Sequence, residues 1–213
     1  MAPFLPSDAF AIRDEIDVKR SSGVLIVDNM FEDYTRVRNL FLNSPAPPWK
    51  MPEGTRNFKD YYDCRQHWRF NPTIEFKFME CLSRIINIAW NKETHGQDNG
   101  IRTNWFLQVA PRQSDYAEIH IDGEGYTALT YLNTEEECSG GTAFFPEITE
   151  YEGVNAVNYW SSQKRTGKAV HIEMKPGRTV IHPSGMCHGA WHPDDSFTQK
   201  PRLLMVTRLV TRQ

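Results

Sequence analysis

His120, Ile121 and Asp122 carry the sharpest chemical signal in the chain. In an extended strand, residues two apart face the same way. An imidazole and a carboxylate would therefore stand side by side, with Ile121 turned to the opposite layer. One His, one carboxylate and a second, distant His make a facial triad that holds non-haem Fe(II) and leaves coordination positions open. A His-x-Asp triplet alone is more often incidental surface polarity. The second histidine therefore matters, and the candidates are His171, His182, His188 and His192. His182 lies in an apolar run, Val180-Ile181-His182-Pro183, where a satisfied core or rim histidine is the plain alternative. His192 precedes Pro193 in a polar loop and reads as solvated. His188 begins a new element after the Pro183–Cys187 turn.

The elements that must position these groups follow from the rest of the chain. At 213 residues, it has the length of a single domain (1–213) able to bury a real core. Hydrophobic residues make up 39% and charged residues 24%, a globular composition and not a disordered one. The formal net charge of −3 gives no electrostatic reason to expect nucleic acid or an anionic membrane as partner. Cys64, Cys81, Cys138 and Cys187 include no C-x-x-C pair, which argues against structural zinc. The start, Met1 to Pro6, has no basic region followed by an apolar run. No apolar stretch is long enough to span a bilayer. Free thiols in a reducing cytoplasm are expected.

Residues 1–100 read as one strand and two covering helices. Residues 1–22 are expected to form an arm over the surface. Val24–Val27 is a short β-branched strand. Asp33 is placed to cap a helix reaching Asn43, with Val37, Leu40 and Phe41 at helical spacing. Residues 49–70 are aromatic and basic without a period, and read as an irregular loop or a lid over a pocket. Asn71-Pro72 starts a second helix, expected to reach Trp90, with an apolar stripe through Ile74, Phe78, Leu82 and Ile85. Residues 101–213 read as strands: Thr103–Val109, one at His120–Asp122, Tyr126–Asn133, Thr142–Phe145, Ala169–Met174, Thr179–His182, His188–Trp191 and Arg202–Val210. Many short strands separated by turn signals predict a β-sandwich or barrel.

Within that series lie Leu107-Gln108-Val109-Ala110, His120-x-Asp122, Tyr131-Leu132-Asn133 and Gly140-Gly141-Thr142-Ala143-Phe144-Phe145-Pro146. Pro176-Gly177, His188 and an arginine-led last strand follow in order. This arrangement resembles the catalytic core of the prolyl-4-hydroxylase-like 2-oxoglutarate/Fe(II)-dependent dioxygenases. The resemblance covers residues 103–210. It implies a mainly β fold with flanking helices, a double-stranded β-helix of the jelly-roll, cupin type. It implies Fe(II) held by His120, Asp122 and His188, with 2-oxoglutarate and O₂ as the other ligands.

The resemblance also suggests where the cosubstrate would bind. A dicarboxylate in an apolar barrel needs a paired charge, and arginine clamps a carboxylate bidentately. Arg202 is the expected clamp, and Arg208 stays open as the alternative because the segment between His188 and Arg202 is longer than the family's usual spacing. Tyr131 stands where such enzymes place a hydroxyl on the distal carboxylate. Gln108 would line the pocket near the metal. Arg112 stands where the family often has a tyrosine, so Tyr116 is the alternative contact for the metal-side end.

The implied reaction is oxidative decarboxylation of 2-oxoglutarate coupled to hydroxylation of a C–H bond. Related halogenases lack the carboxylate that Asp122 supplies, so its presence favours hydroxylation. The expected substrate is a small molecule or peptide held between residues 49–70 and 147–167. Two rivals remain: a cupin-like metal-binding protein or isomerase, and a non-catalytic sensor, neither turning over 2-oxoglutarate.

Overall fold

The structure, a computed structural model, describes residues 10–43, 61–67, 72–88, 101–108, 116–147, 169–191, 193 and 202–209. The described elements begin with β1 (Val18–Ser21), β2 (Val24–Val27), α1 (Tyr34–Asn43), β3 (Tyr61–His67) and α2 (Pro72–Ile86). They continue with β4 (Ile101–Gln108), β5 (Tyr116–His120), β6 (Tyr126–Tyr131) and β7 (Gly141–Phe145). The last are β8 (Val170–Glu173), β9 (Thr179–Pro183), β10 (Cys187–Trp191) and β11 (Arg202–Leu209).

Two antiparallel sheets result. The larger has the order β1-β2-β9-β6-β11-β4-β3 and the smaller β5-β10-β7-β8. From β4 to β11 the chain crosses repeatedly between them. β4, β6, β9 and β11 go to the larger sheet, and β5, β7, β8 and β10 to the smaller. That winding is a double-stranded β-helix, the jelly roll the sequence predicts.

Period-two side chains sort the core into layers. Leu129 and Tyr131 on β6, Leu204 and Val206 on β11, and Val180 on β9 meet Phe144, Ile172 and Ala190 of the smaller sheet. This is the apolar interior between the sheets. The intervening Ala128, Ile181, Leu203 and Met205 face outward, against Val37 of α1 and Phe78, Met79 and Leu82 of α2. The helices thus cover the outer face of the larger sheet. Thr35 N–H donates to Asp33 Oδ1 at 2.9 Å, the expected cap of α1.

Three expectations are corrected. The stretch 49–70 is not wholly irregular, because β3 pairs with β4 along its whole length, from Tyr61 opposite Gln108 to His67 opposite Arg102. An edge strand needs only backbone partners on one side, so its mixed side chains carry no alternation to read. Residues 1–22 are not simply an arm: β1 forms a hairpin with β2, Ile12 bridges to Phe31, and Phe10 is buried. Helix α2 ends at Ile86 rather than Trp90, with Asn87 in the left-handed region at φ +58°.

Gly140 and Gly141 differ in what they require. Gly140 has φ +72°, the turn geometry expected of it. Gly141 opens β7 so close to β8 that a Cβ would collide with the Ile172 carbonyl oxygen.

Candidate metal centre

Strand register assembles the centre. β5 and β10 are neighbours in the smaller sheet, and His120 pairs directly opposite His188. Their ring centroids lie 4.5 Å apart. Asp122 stands just past the end of β5. Its N–H donates to the Ser184 carbonyl at 2.8 Å, which turns the chain back toward the histidines. Asp122 Oδ1 lies 3.5 Å from His120 Nε2, and Oδ2 lies 3.7 Å from His188 Nε2. One donor atom from each of the three residues falls within 4.8 Å of the others. The side chains grade from His120, 43% exposed, to His188, 5% exposed, so the centre opens on the His120 side.

The donor chemistry fits a divalent transition ion. His188 Nδ1 donates to the Met186 carbonyl at 3.0 Å, since a carbonyl can only accept. Its Nε2 therefore carries the lone pair, and a carbonyl partner on the other ring nitrogen is the usual support of a metal-binding imidazole. Thr127 Oγ1 donates to Asp122 Oδ2 at 2.7 Å and meets Ser184 Oγ at 2.9 Å. With the Thr127 proton committed to Asp122, Ser184 is the donor of that second bond. Burial works to raise the Asp122 carboxyl. The hydrogen bonds from His120 and the Thr127 hydroxyl outweigh it and hold the group well below the usual carboxylate range. Burial pushes His188 well below an ordinary imidazole, toward the neutral form a metal requires.

The other histidines separate cleanly. His171 is on the outer face of the smaller sheet, its ring 4.5 Å from that of Trp191. His192 lies outside the described residues. His182 is fully buried, with its ring 4.3 Å from that of His188, but it is not among the three converging donors.

Deeper in the interior lies a polar cluster. Arg202 is 3% exposed, and its Nη2 donates to Thr142 Oγ1 at 2.7 Å. Tyr131 OH shares a 2.7 Å hydrogen bond with the same Oγ1, and the guanidinium carbon sits 5.5 Å from the Tyr131 ring centroid. On β7, Thr142 pairs with Ala190, whereas Phe144 pairs with His188. The Arg202–Tyr131–Thr142 cluster is thus set two residues further along the sheet than the metal donors. Arg208 lies at the other end of β11, where its Nη2 donates to the Asp122 backbone carbonyl. Gln108 ends β4 and Tyr116 begins β5, but their side chains fall outside the described part.

Sequence reasoning missed Thr127 and Thr142. A lone threonine in a strand has no signature of its own. For Thr127 a signal existed: it shares the strand face of Tyr131, four residues on, and lies shortly after Asp122.

No protein-family model and no curated protein matches the chain. Solved structures match it in fold. A prolyl hydroxylase from Trichoplax adhaerens, in complex with a hypoxia inducible factor oxygen degradation domain peptide fragment, aligns at a TM-score of 0.53. The alignment covers 90% of this chain and 84% of that one, at 13% identity. A protein from Shewanella oneidensis, described provisionally as an oxygenase, aligns at 0.52 over 89% of this chain and 82% of that one, at 13% identity. A 2OG-Fe(II) oxygenase family oxidoreductase from Burkholderia pseudomallei aligns at 0.48 over 91% and 89%, at 11% identity. The likeness to the Trichoplax and Shewanella proteins shows a shared fold, the double-stranded β-helix described above.

Proposed function

We propose that this chain is a non-haem Fe(II) enzyme that couples oxidative decarboxylation of 2-oxoglutarate to hydroxylation of a substrate C–H bond. The observation that supports it best is the pairing of two sites in one interior. Three converging candidate metal donors stand at one level, and deeper stands a buried arginine bonded to the Thr142 hydroxyl, which also bonds Tyr131.

His120, Asp122 and His188 would hold the ion. Thr127 and the Met186 carbonyl fix the orientation of two of those ligands. Arg202, with Tyr131 and Thr142, would bind the distal carboxylate of 2-oxoglutarate, a buried negative charge that needs a paired cation. Leu129, Phe144, Val180, Leu204 and Val206 form the apolar interior around these groups and keep water from the reacting atoms. When bound, Fe(II) with 2-oxoglutarate supplies the activation of O₂ that the protein's own side chains cannot. Asp122 would take a coordination position that halide would otherwise occupy, which favours hydroxylation over halide transfer.

The substrate class we propose is a small molecule or a peptide side chain. The peptide held by the Trichoplax neighbour supports the second of these through the shared fold. Among the described residues, no helix is long and apolar enough to cross a membrane. We place the enzyme in the cytoplasm on the strength of its composition and thiols.

The test is succinate formation by the Fe(II)-loaded protein, with a mass gain of one oxygen in members of a substrate panel. Both should depend on 2-oxoglutarate and O₂ and fail in Asp122→Ala. No succinate under any condition would favour the metal-binding cupin reading. Chloride transfer by the wild type would overturn the reaction type.

A further inference from the structure

His182 stands directly opposite Thr127 in the register of β9 and β6. It is in phase with the inward-facing Val180, so its ring leaves the larger sheet and enters the interior. There it meets the smaller sheet. Its ring centroid lies 5.0 Å from that of Phe144 and 4.3 Å from that of His188. His120, a member of the candidate triad, is 4.5 Å from His188 by the same measure. His182 is thus as near to the buried histidine of the triad as the other histidine is.

The ring is fully buried, and its two nitrogens differ. Nδ1 donates to the Pro183 carbonyl at 2.8 Å, since a carbonyl can only accept. Nε2 therefore carries a lone pair, and it is buried without a hydrogen-bond partner among the described residues. Buried polar atoms are paired as a rule. Two hydroxyls stand close by in the chain and the sheet, but their protons are spent. Thr127 Oγ1 donates to Asp122, and Ser184 Oγ donates to Thr127.

His188 shows the same two features: Nδ1–H on a backbone carbonyl, at 3.0 Å, and a lone pair left on Nε2. A carbonyl on one ring nitrogen is the usual support of an imidazole that binds a metal through the other. What the orphaned lone pair of His182 lacks is an electron-pair acceptor. A divalent ion held by His120, Asp122 and His188 would supply one in the same interior.

We propose that His182 is a fourth donor to that ion, bound through Nε2 in the cosubstrate-free protein and released when 2-oxoglutarate binds. The inference rests on the function proposed above. His182 is not part of the group whose donors converge within 4.8 Å, so its ring shifts to reach the ion and its bond is the weakest of the four. A chelating dianion displaces a weak, neutral donor first. Until then His182 closes one of the positions that the triad leaves open, and the ion is held more tightly.

The full chain, isotope-labelled at its histidine nitrogens, is loaded with Zn(II), a diamagnetic ion suited to four donors, and followed by nitrogen NMR. In the wild type, Nε2 of a third histidine should move to the metal-bound range beside those of His120 and His188. Saturating 2-oxoglutarate should return it to its free position. His182→Phe assigns that signal by its loss. Without 2-oxoglutarate, the variant's Zn(II) affinity should fall about tenfold or more. With 2-oxoglutarate saturating, it should match the wild type. By linkage, 2-oxoglutarate should bind the Zn(II)-loaded variant more tightly than the wild type, by the same factor. A residue that only packs against His188 would weaken the ion equally in both states. That equal loss overturns the proposal. So does a spectrum in which only His120 and His188 move, or a third signal that stays bound with 2-oxoglutarate saturating. If His182→Phe does not fold, the wild-type titration decides alone. A wild type that binds Zn(II) but no 2-oxoglutarate contradicts the proposed function, and the release of His182 with it. One that binds no Zn(II) contradicts the metal centre itself.

Discussion

Thr142 is the residue on which the deep polar cluster turns. Its Oγ1 accepts from Arg202 and bonds Tyr131, so one hydroxyl sets the position of both larger groups. Thr142→Val keeps the shape and removes both bonds. Leaving buried polar partners unsatisfied costs about 1–3 kcal/mol, so thermal or urea unfolding should show a loss of that size. The affinity for 2-oxoglutarate should fall with it, while the affinity for a divalent ion should not. His182 gives a pH signature in the metal-free protein. Burial pushes its imidazole down to about 4, from 6.5 when solvated. Below pH 6.5 the unfolded chain takes a proton that the folded chain refuses, so stability falls as pH drops from 6.5 toward 4. The full difference is roughly 3 kcal/mol. His182→Phe should flatten that part of a stability–pH curve. An unchanged curve would mean that His182 reaches solvent in solution.

At the scale of elements, the close approach of β7 to β8 is a point of failure. Gly141→Ala would drive a Cβ into the backbone of β8. Overpacking of this kind costs about 1–3 kcal/mol, measurable as a lower midpoint in urea. Strands β7 and β11 were legible in the sequence because they are apolar runs buried on both faces. Thr142-Ala143-Phe144-Phe145 and Arg202–Leu209 face two packed layers, and their sequences show it. β1 and β3 were not legible. Val18-Lys19-Arg20-Ser21 and Tyr61–His67 are the outermost strands of the larger sheet, where one backbone neighbour suffices and the side chains follow no pattern. The site divides in the same way. His120-x-Asp122 shows in the sequence because its chemistry is compressed into three residues. The separation of Arg202 from Arg208 does not, because both share one strand face and only register shows which lies beside Thr142 and which beside Asp122.

At the scale of the whole molecule, two salt bridges tie distant segments to the sheets. Arg178 clasps Asp28 with two hydrogen bonds, at 2.6 and 3.1 Å, linking the start of β9 to the end of β2. Arg38 of α1 reaches Glu137, beyond β6, at 2.9 and 3.1 Å. The candidate metal donors come from β5, the turn after it and β10, so an ion bound there joins segments far apart in sequence. Binding to the folded state alone stabilises it by about 2.7 kcal/mol when the free ion is a hundredfold above Kd. At about 2–4 °C per kcal/mol for a chain of this size, Tm should rise by several degrees. Asp122→Ala should abolish the rise, and Arg202→Ala should preserve it.

On the reading proposed above, one interior holds both a metal and 2-oxoglutarate, at separate residues. The most direct test is the dissociation constant of 2-oxoglutarate, measured under argon with and without saturating Fe(II), for the wild type and Arg202→Ala. Tight binding should require the metal. Arg202→Ala should weaken binding by roughly thirty-fold to several thousand-fold, the loss expected when one partner of a buried charge pair is truncated, with Fe(II) affinity unchanged. Binding that ignores the metal, or that survives Arg202→Ala undiminished, would rule out a shared interior of this kind.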